Sequence, residues 1–315
     1  MFAISSGSGS TFNVQLFVVN FNFSLSIGQR FRAGHYKCQH SSKPCTLAEA
    51  LGDRTNLSLY FEMKVIHPII ADRVSEYVKG ILVIENYQNK KPFMLPLFAN
   101  GTPTLVFQTA KGQIKNQSNH LTLFGQTVLP DQLFINGEFT LIAYFLTPHS
   151  LLSLFGTQAN ELTDNPIDLN LLSKNSVLQE QLLNAKTINK KLPLLDDYII
   201  GLIRKMNMDI NRIKYATEII SQNQSGNVLA QVQKELYITE RSFQRLFEKN
   251  VGISPNLFRR INQFNKAFQQ LNSRQFQNLS DIAFDNGYSD QSHYIKAFKE
   301  FTSITPTIYL SMSNF

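Results

Sequence analysis

The stretch "ERSFQRLFEKN" (240–250) places Arg241, Gln244 and Arg245 at i, i+3 and i+4, with Lys249 one turn further on. A second stretch, "QSHYIKAFKEF" (291–301), carries Gln291, Ser292, His293 and Lys296, with Ile295 among them and Lys299 behind. On a helix, residues three and four apart share a face, so each stretch gathers several long hydrogen-bond donors on one side. Guanidinium forks and amides can bond flat donor–acceptor edges in pairs, and lysines neutralise phosphates. Sets of long donors like these point to recognition of base edges and phosphates.

Other candidates are weaker. His35, Cys38, His40 and Cys45 in "HYKCQHSSKPC" are zinc-ligand types, but their spacing fits no standard finger and reads as chance clustering. Gly7-Ser8-Gly9 lacks the strand and helix that a nucleophile elbow needs. There is no phosphate loop and no dinucleotide fingerprint. His67, His120 and His149 stand alone and read as structural or surface residues. No metal site, no cofactor and no enzymatic centre are expected.

The two donor stretches lie in a repeat. "NVLAQVQKELYITERSFQRLFEKNVGISP" (227–255) superposes on "NLSDIAFDNGYSDQSHYIKAFKEFTSITP" (278–306) with a constant offset of 51 residues. Val228 meets Leu279, Val232 meets Ala283, Phe243 meets Tyr294, Phe247 meets Phe298 and Pro255 meets Pro306. Each copy predicts a short helix, a tight turn, and a second helix opened by an N-cap at Thr239 or Asp290. Gly287 suits a sharp turn, while Leu236 at the matching position makes the first turn less comfortable. Phe243, Leu246 and Phe247, and likewise Tyr294, Ala297, Phe298 and Phe301, form the inward faces. Between the copies, "PNLFRRINQFNKAFQQL" (255–271) reads as one amphipathic helix of roughly 25 Å. It carries Arg259, Arg260 and Lys266, which with Lys249 and Lys299 are the expected phosphate contacts. Rigidly joined units on that scale could place two helices in successive major grooves, about 34 Å apart. Arg241, Gln244, Arg245, Gln291, Ser292, His293, Ile295 and Lys296 are the expected base-facing set. Ile295 has two readings: contact with a thymine methyl, or packing against Ile308 or Tyr309.

"ITERSFQRLFEKNVGISPNLFRR" and, more specifically, "DIAFDNGYSDQSHYIKAFKEFTSITPTIY" resemble the DNA-binding domain of AraC/XylS-type transcription regulators. The resemblance covers about a third of the chain. It rests on Ile282-Ala283, Gly287-Tyr288, Gln291-Ser292-His293-Tyr294, Phe298-Lys299 and Thr305-Pro306. It implies double-stranded DNA as partner, a small-molecule effector, RNA polymerase if the protein activates, and a homodimer. Gln233, Ile295, Ser303 and Leu310 depart from the family's usual residues. Ser303 and Leu310 could loosen the last helix or drop a phosphate contact. Residues 92–168 also resemble an uncharacterised N-terminal domain found in some family members. Helix-turn-helix pairs of this kind can be fused to an alkyl-transfer repair module with a reactive Pro-Cys-His-Arg run. Here Thr46 follows Pro44-Cys45, and two cysteines cannot build that site.

By domain, the chain from residue 63 reads as an α+β regulatory or sensing domain (63–168) that modulates the rest, a helical linker or dimerisation segment (169–222), and an all-α DNA-binding domain of two helix-turn-helix units joined by a long helix (223–315). In the first, Pro68 to Lys79 suits a helix. Residues 81–84, 104–107 and 121–124 suit buried strands. "QLFINGEFTLIAYFL" suggests a hairpin turning at Asn136-Gly137. Pro148 opens a helix through Phe155, and Pro193 breaks the linker helices. Residues 1–62 have a different texture, and Met63 makes a plausible native start. Either they belong to an over-extended reading frame or a disordered leader, or they form a genuine strand in which Val14, Leu16 and Val18 alternate.

Net charge is +7, spread evenly along the chain, so basicity permits nucleic-acid binding without proving it. Two cysteines exclude a disulfide framework, and no apolar run is long enough to span a membrane, which makes the cytoplasm the expected compartment. The expected function is sequence-specific DNA-binding regulation of transcription. The alternatives are a low-specificity architectural DNA-binding protein, or an N-terminal small-molecule enzyme with a DNA-binding tail. If residues 1–62 lie outside the functional fold, a 63–315 chain keeps its melting temperature and DNA affinity. Collapse of that chain, or a peptide from 1–62 in mass spectra of the native protein, would show otherwise.

Overall fold

The structure is a computed structural model that describes residues 63–87, 92–172, 176–203, 208–223 and 226–312. The His35/Cys38/His40/Cys45 cluster and the reading of 1–62 lie outside the described residues.

Among the described residues, eight antiparallel strands form one sheet: β1 (Lys64–Ile66), β2 (Val78–Asn86), β3 (Phe93–Leu97), β4 (Thr104–Ile114), β5 (Gln117–Phe124), β6 (Asp131–Ile135), β7 (Phe139–Leu146) and β8 (Ile167–Asp168). Their main order is β1-β2-β7-β4-β5-β8. The long strand β4 belongs to two layers. Its first half pairs with β7, from Thr104↔Phe145 to Gln108↔Leu141. After a register shift, its second half pairs with β6, which in turn pairs with β3. The sheet therefore folds over at β4, and alternate side chains enter two cores. Leu82, Ile84, Val106, Leu141 and Ala143 face the layer of β3 and β6. Ile81, Val83, Leu105, Phe107, Ile142 and Tyr144 face the other way.

That second face is covered by helices. α1 (Leu169–Leu172), α2 (Ser176–Asn184) and α3 (Ile188–Leu202) contribute Leu169, Leu178, Leu182, Leu195 and Ile199 to its core. The buried Tyr144 hydroxyl donates to Asp196 of α3 at 2.9 Å, and Arg73 bridges Asp196 and Asp197.

Four local readings are corrected. Pro68 to Lys79 is not a helix: Asp72–Val74 makes one tight turn and β2 begins at Val78, because Tyr77 and Val78 are buried on the sheet. Asn136-Gly137 does turn, with Gly137 at φ 77°, but β6 and β7 do not pair with each other. They diverge into the two layers. Pro148 does lead into a helix that ends at Phe155, but it starts later, at Leu151, and is a single wide π turn, closed by Gly156 at φ 70°. α3 runs through Pro193, which sits exposed in its second turn.

The remaining helices are α4 (Met208–Gln222), α5 (Val228–Glu235), α6 (Glu240–Val251), α7 (Pro255–Ser273), α8 (Leu279–Asp285), α9 (Gln291–Thr302) and α10 (Pro306–Met312). The α+β sheet domain followed by an all-helical domain is the architecture that the sequence suggests. The 169–222 segment divides between them, since Ile213, Ala216 and Ile220 of α4 lie in the core of the C-terminal helices. The sheet domain also reaches into that core through Phe98 and Ala99. The Phe98 ring meets Phe268 of α7 at 6.2 Å, Asn265 Nδ2 donates to the Asn100 carbonyl at 3.2 Å, and Thr163 Oγ1 donates to the Gly252 carbonyl at 2.8 Å.

Gly252 ends α6 at φ 97°, and a Cβ there would lie 2.8 Å from the Ala159 carbonyl oxygen. Gly287 has φ 71° with only the Gln263 amide near, at 3.7 Å. Gly287→Ala should therefore cost only the left-handed backbone strain, about 1–2 kcal/mol. Gly252→Ala adds overpacking of a further 1–3 kcal/mol or so, against backbone that cannot swing aside. Calorimetric melting of both variants checks this ordering.

Candidate nucleic-acid interface

The two helix pairs are built alike. Thr239 caps α6 by accepting from Ser242 N at 3.3 Å, and Asp290 caps α9 by accepting from His293 N at 2.8 Å. Fifty-one residues separate the caps. The same offset relates Gly252 and Ser303, the left-handed residues that end these helices. The turns slip, however. In the first, Tyr237 N donates to Lys234 O and Ile238 N to Gln233 O; in the second, Gly287 N donates to Phe284 O and Tyr288 N to Ala283 O. The turn offset is thus 50: α5 runs one residue longer and its loop is one shorter. Leu236 stays right-handed at φ −85°, and Tyr237, at φ 51°, takes the conformation that Gly287 takes freely. The strain in the first turn therefore sits one residue later than expected.

Inward faces fix the orientation of the outward ones. Phe243, Phe247, Tyr294, Ala297, Phe298 and Phe301 are buried as expected; Leu246 is half-buried. Phe247 packs on Phe258 of α7 at 5.4 Å, and Phe298 stacks on Phe268 of the same helix at 5.6 Å. Both outward helices are thereby registered to α7, a rod of about 28 Å for its 19 residues.

Arg241, Gln244, Arg245 and Lys249 on α6 are exposed, as are Gln291, Ser292, His293, Lys296 and Lys299 on α9. Among the described residues, Arg241, Arg245, Lys249, Lys296 and Lys299 take part in no ion pair. Gln244 donates to Glu248 at 3.2 Å, and Gln291 accepts from Ser280 at 2.8 Å; both bonds are exposed and exchange readily with water. His293 lies edge-on to the buried Tyr288 ring at 5.2 Å, with Nδ1 3.2 Å from Ser289 Oγ. The Asp290 carboxylate is held below its usual range, first by the His293 backbone N–H.

The α7 cations differ. Arg260 pairs with Glu300 of α9 at 2.5 Å and lies over the Phe301 ring at 5.6 Å. Lys266 donates to the Gln222 carbonyl at 3.2 Å, and burial lowers its pKa. Arg259 holds Asn256 at 3.3 Å. Ile295 is half-buried but belongs neither to the helical core nor to the partly buried residues packed on it. Ile308 is 40% exposed, and Tyr309 packs on Phe268 and Phe298.

Residues 232–312, which span most of the two capped pairs just described, match a family described as "Helix-turn-helix domain". These residues are a helix-turn-helix domain of the AraC type. Residues 69–168 match a domain of unknown function, the segment occupied by most of the sheet. Over 178 residues the chain is 27% identical to a Photobacterium leiognathi protein described as "Probable transcriptional regulator LumQ". The match spans 56% of this chain and 63% of that protein. Solved structures of ToxT from Vibrio cholerae are also similar. The form described as bound to unsaturated fatty acid is 13% identical with a TM-score of 0.42, over 74% of this chain and 95% of that one. Another ToxT structure is 12% identical with a TM-score of 0.40, over 80% and 98%. Among the described residues, no helix is long and apolar enough to cross a membrane, and no group of three His, Cys, Asp or Glu could hold a metal.

Two substitutions separate contact from scaffold in this AraC-type domain. Ile295→Ser should erase preference at one A·T pair with melting unchanged; lowered melting with intact preference would make Ile295 a packing residue. Arg260→Ala should instead lower the melting temperature, since it loses both an ion pair and a ring contact that tie α9 to α7.

Proposed function

We propose that this protein is a sequence-specific DNA-binding regulator of transcription, reading two successive major grooves with α6 and α9. The observation that carries the proposal is the pair of outward faces with unpaired cations, registered to one rigid helix. Arg241, Gln244 and Arg245 project from the first two turns of α6, the part of a recognition helix that reaches base edges. Gln291, Ser292, His293, Ile295 and Lys296 do the same from α9, with a less charged surface. Lys249 and Lys299 supply phosphate contacts near the helix ends, and Arg259 is free to add one across its weak bond to Asn256. The helix-turn-helix match and the similarity to a described transcriptional regulator support this reading. The sheet domain, packed through Phe98 and Thr163 onto α7 and the end of α6, would modulate the reader through a small-molecule effector and a homodimer contact. RNA polymerase is the further partner if regulation is positive.

An architectural DNA-binding protein would use the same cations without base preference. Selection of binding sites from random duplexes separates the two: an enriched, spaced pair of motifs is expected, and unenriched binding would defeat the proposal. Within that assay Arg245→Ala should relax preference at one base pair, worth about 1–3 kcal/mol. Lys249→Ala should weaken all sequences alike and reduce the salt slope by about one.

A further inference from the structure

A cleft of about 410 Å³ opens between the sheet domain and α4. Its walls come from the start of β2, from the segment after β7, and from Lys214, Thr217 and Glu218 of α4. α4 is two-sided here: Ile213, Ala216 and Ile220 lock into the core of the DNA-binding helices, while Lys214, Thr217 and Glu218 face the sheet domain. Anything held in the cleft therefore touches both domains.

Its lining is built for polar company. Thr147 and His149 are 8% and 4% exposed, yet Thr147 Oγ1 and His149 Nδ1 have no hydrogen-bond partner. Buried polar atoms are normally paired, and leaving one bare is costly. Burial, reinforced by Lys79 and Lys214, lowers the His149 pKa to about 4. The ring is thus neutral at neutral pH, and Nδ1 can accept a hydrogen bond. Lys214 is already neutralised by Glu76 at 2.8 Å. Burial lowers the Lys79 pKa and the charge of Glu218 works against that shift; among the described residues the two form no ion pair, which leaves one cation and one anion at the cleft, the cation short of a close counter-charge.

We infer that this cleft binds a small zwitterion of the α-amino-acid class, its carboxylate on Lys79 and its ammonium on Glu218, with Thr147 and His149 completing its hydrogen bonds. The charge pattern selects for that class. A plain anion finds only one free cation and is opposed by Glu218; a plain amine meets the reverse. A zwitterion matches both charges and supplies partners for both bare atoms. Resting on the regulatory reading above, the inference gives the effector a chemical class, and it places occupancy against the helix that enters the DNA-binding core.

Calorimetric titration of the full chain with the common L-amino acids tests it. Propionate and ethylamine serve as half-ligands, and inorganic phosphate as a plain anion. At least one amino acid should bind, with the half-ligands and phosphate binding at least about ten-fold more weakly. Lys79→Met, Glu218→Gln and Thr147→Val should each weaken it about ten-fold or more, with Lys186→Met, outside the cleft, unchanged. Absence of binding by every amino acid, equal binding of propionate or phosphate, or unaltered affinity in those variants that fold would overturn the inference. Site selection from random duplexes on the unliganded chain is read separately. Its failure would remove the regulatory reading and leave the ligand result standing.

Discussion

Packing of aromatic rings against α7 is the constraint on which the C-terminal half depends. Phe258 receives Phe247, while Phe264 and Phe268 receive Phe298, Phe301 and Tyr309, with ring centroids 5.0–5.7 Å apart. Each ring adds both apolar burial and edge or stacking contacts that prefer one geometry. Without these contacts α6 and α9 would be short helices, marginal alone, with no fixed relation to each other. With them, the outward residues on both helices have defined directions, and recognition becomes a matter of spacing as well as of side-chain chemistry.

The helical half was legible because its signals are local. The apolar rhythm, the Thr239 and Asp290 caps and the Pro255 start each act within one turn or one helix. The one-residue slip between the two turns was not legible. Either Leu236 or Tyr237 could have taken the left-handed conformation, and the backbone hydrogen bonds chose Tyr237. Arg260 was expected on phosphate, but its partner Glu300 lies 40 residues away, and sequence spacing gives no hint of that meeting.

In the sheet domain, strand existence followed from buried β-branched runs, but partnership did not. Asn136-Gly137 carries the turn chemistry of a hairpin, while β7 finds its neighbours in β2 and β4, strands introduced much earlier in the chain. Tertiary pairing overrode a local preference there. It did so again at Tyr77 and Val78, where burial on the sheet outweighed a helical reading. The cleft residues were invisible for the same reason. His149 reads as an isolated histidine until α4 is laid beside it.

The insertion of Phe98 and Ala99 into the helical core has a consequence for modularity. Proteins of two domains are often recombined at the linker, on the view that each half carries its own interior. Here the reader's interior includes two residues from the sheet domain and a face of α4. A chimera joined after Gln222 would graft a domain with a hole where Phe98 sits and a stripped flank where Ile213, Ala216 and Ile220 belong. The transferable unit begins at α4, and its new host must bring an aromatic side chain on a loop of matching reach.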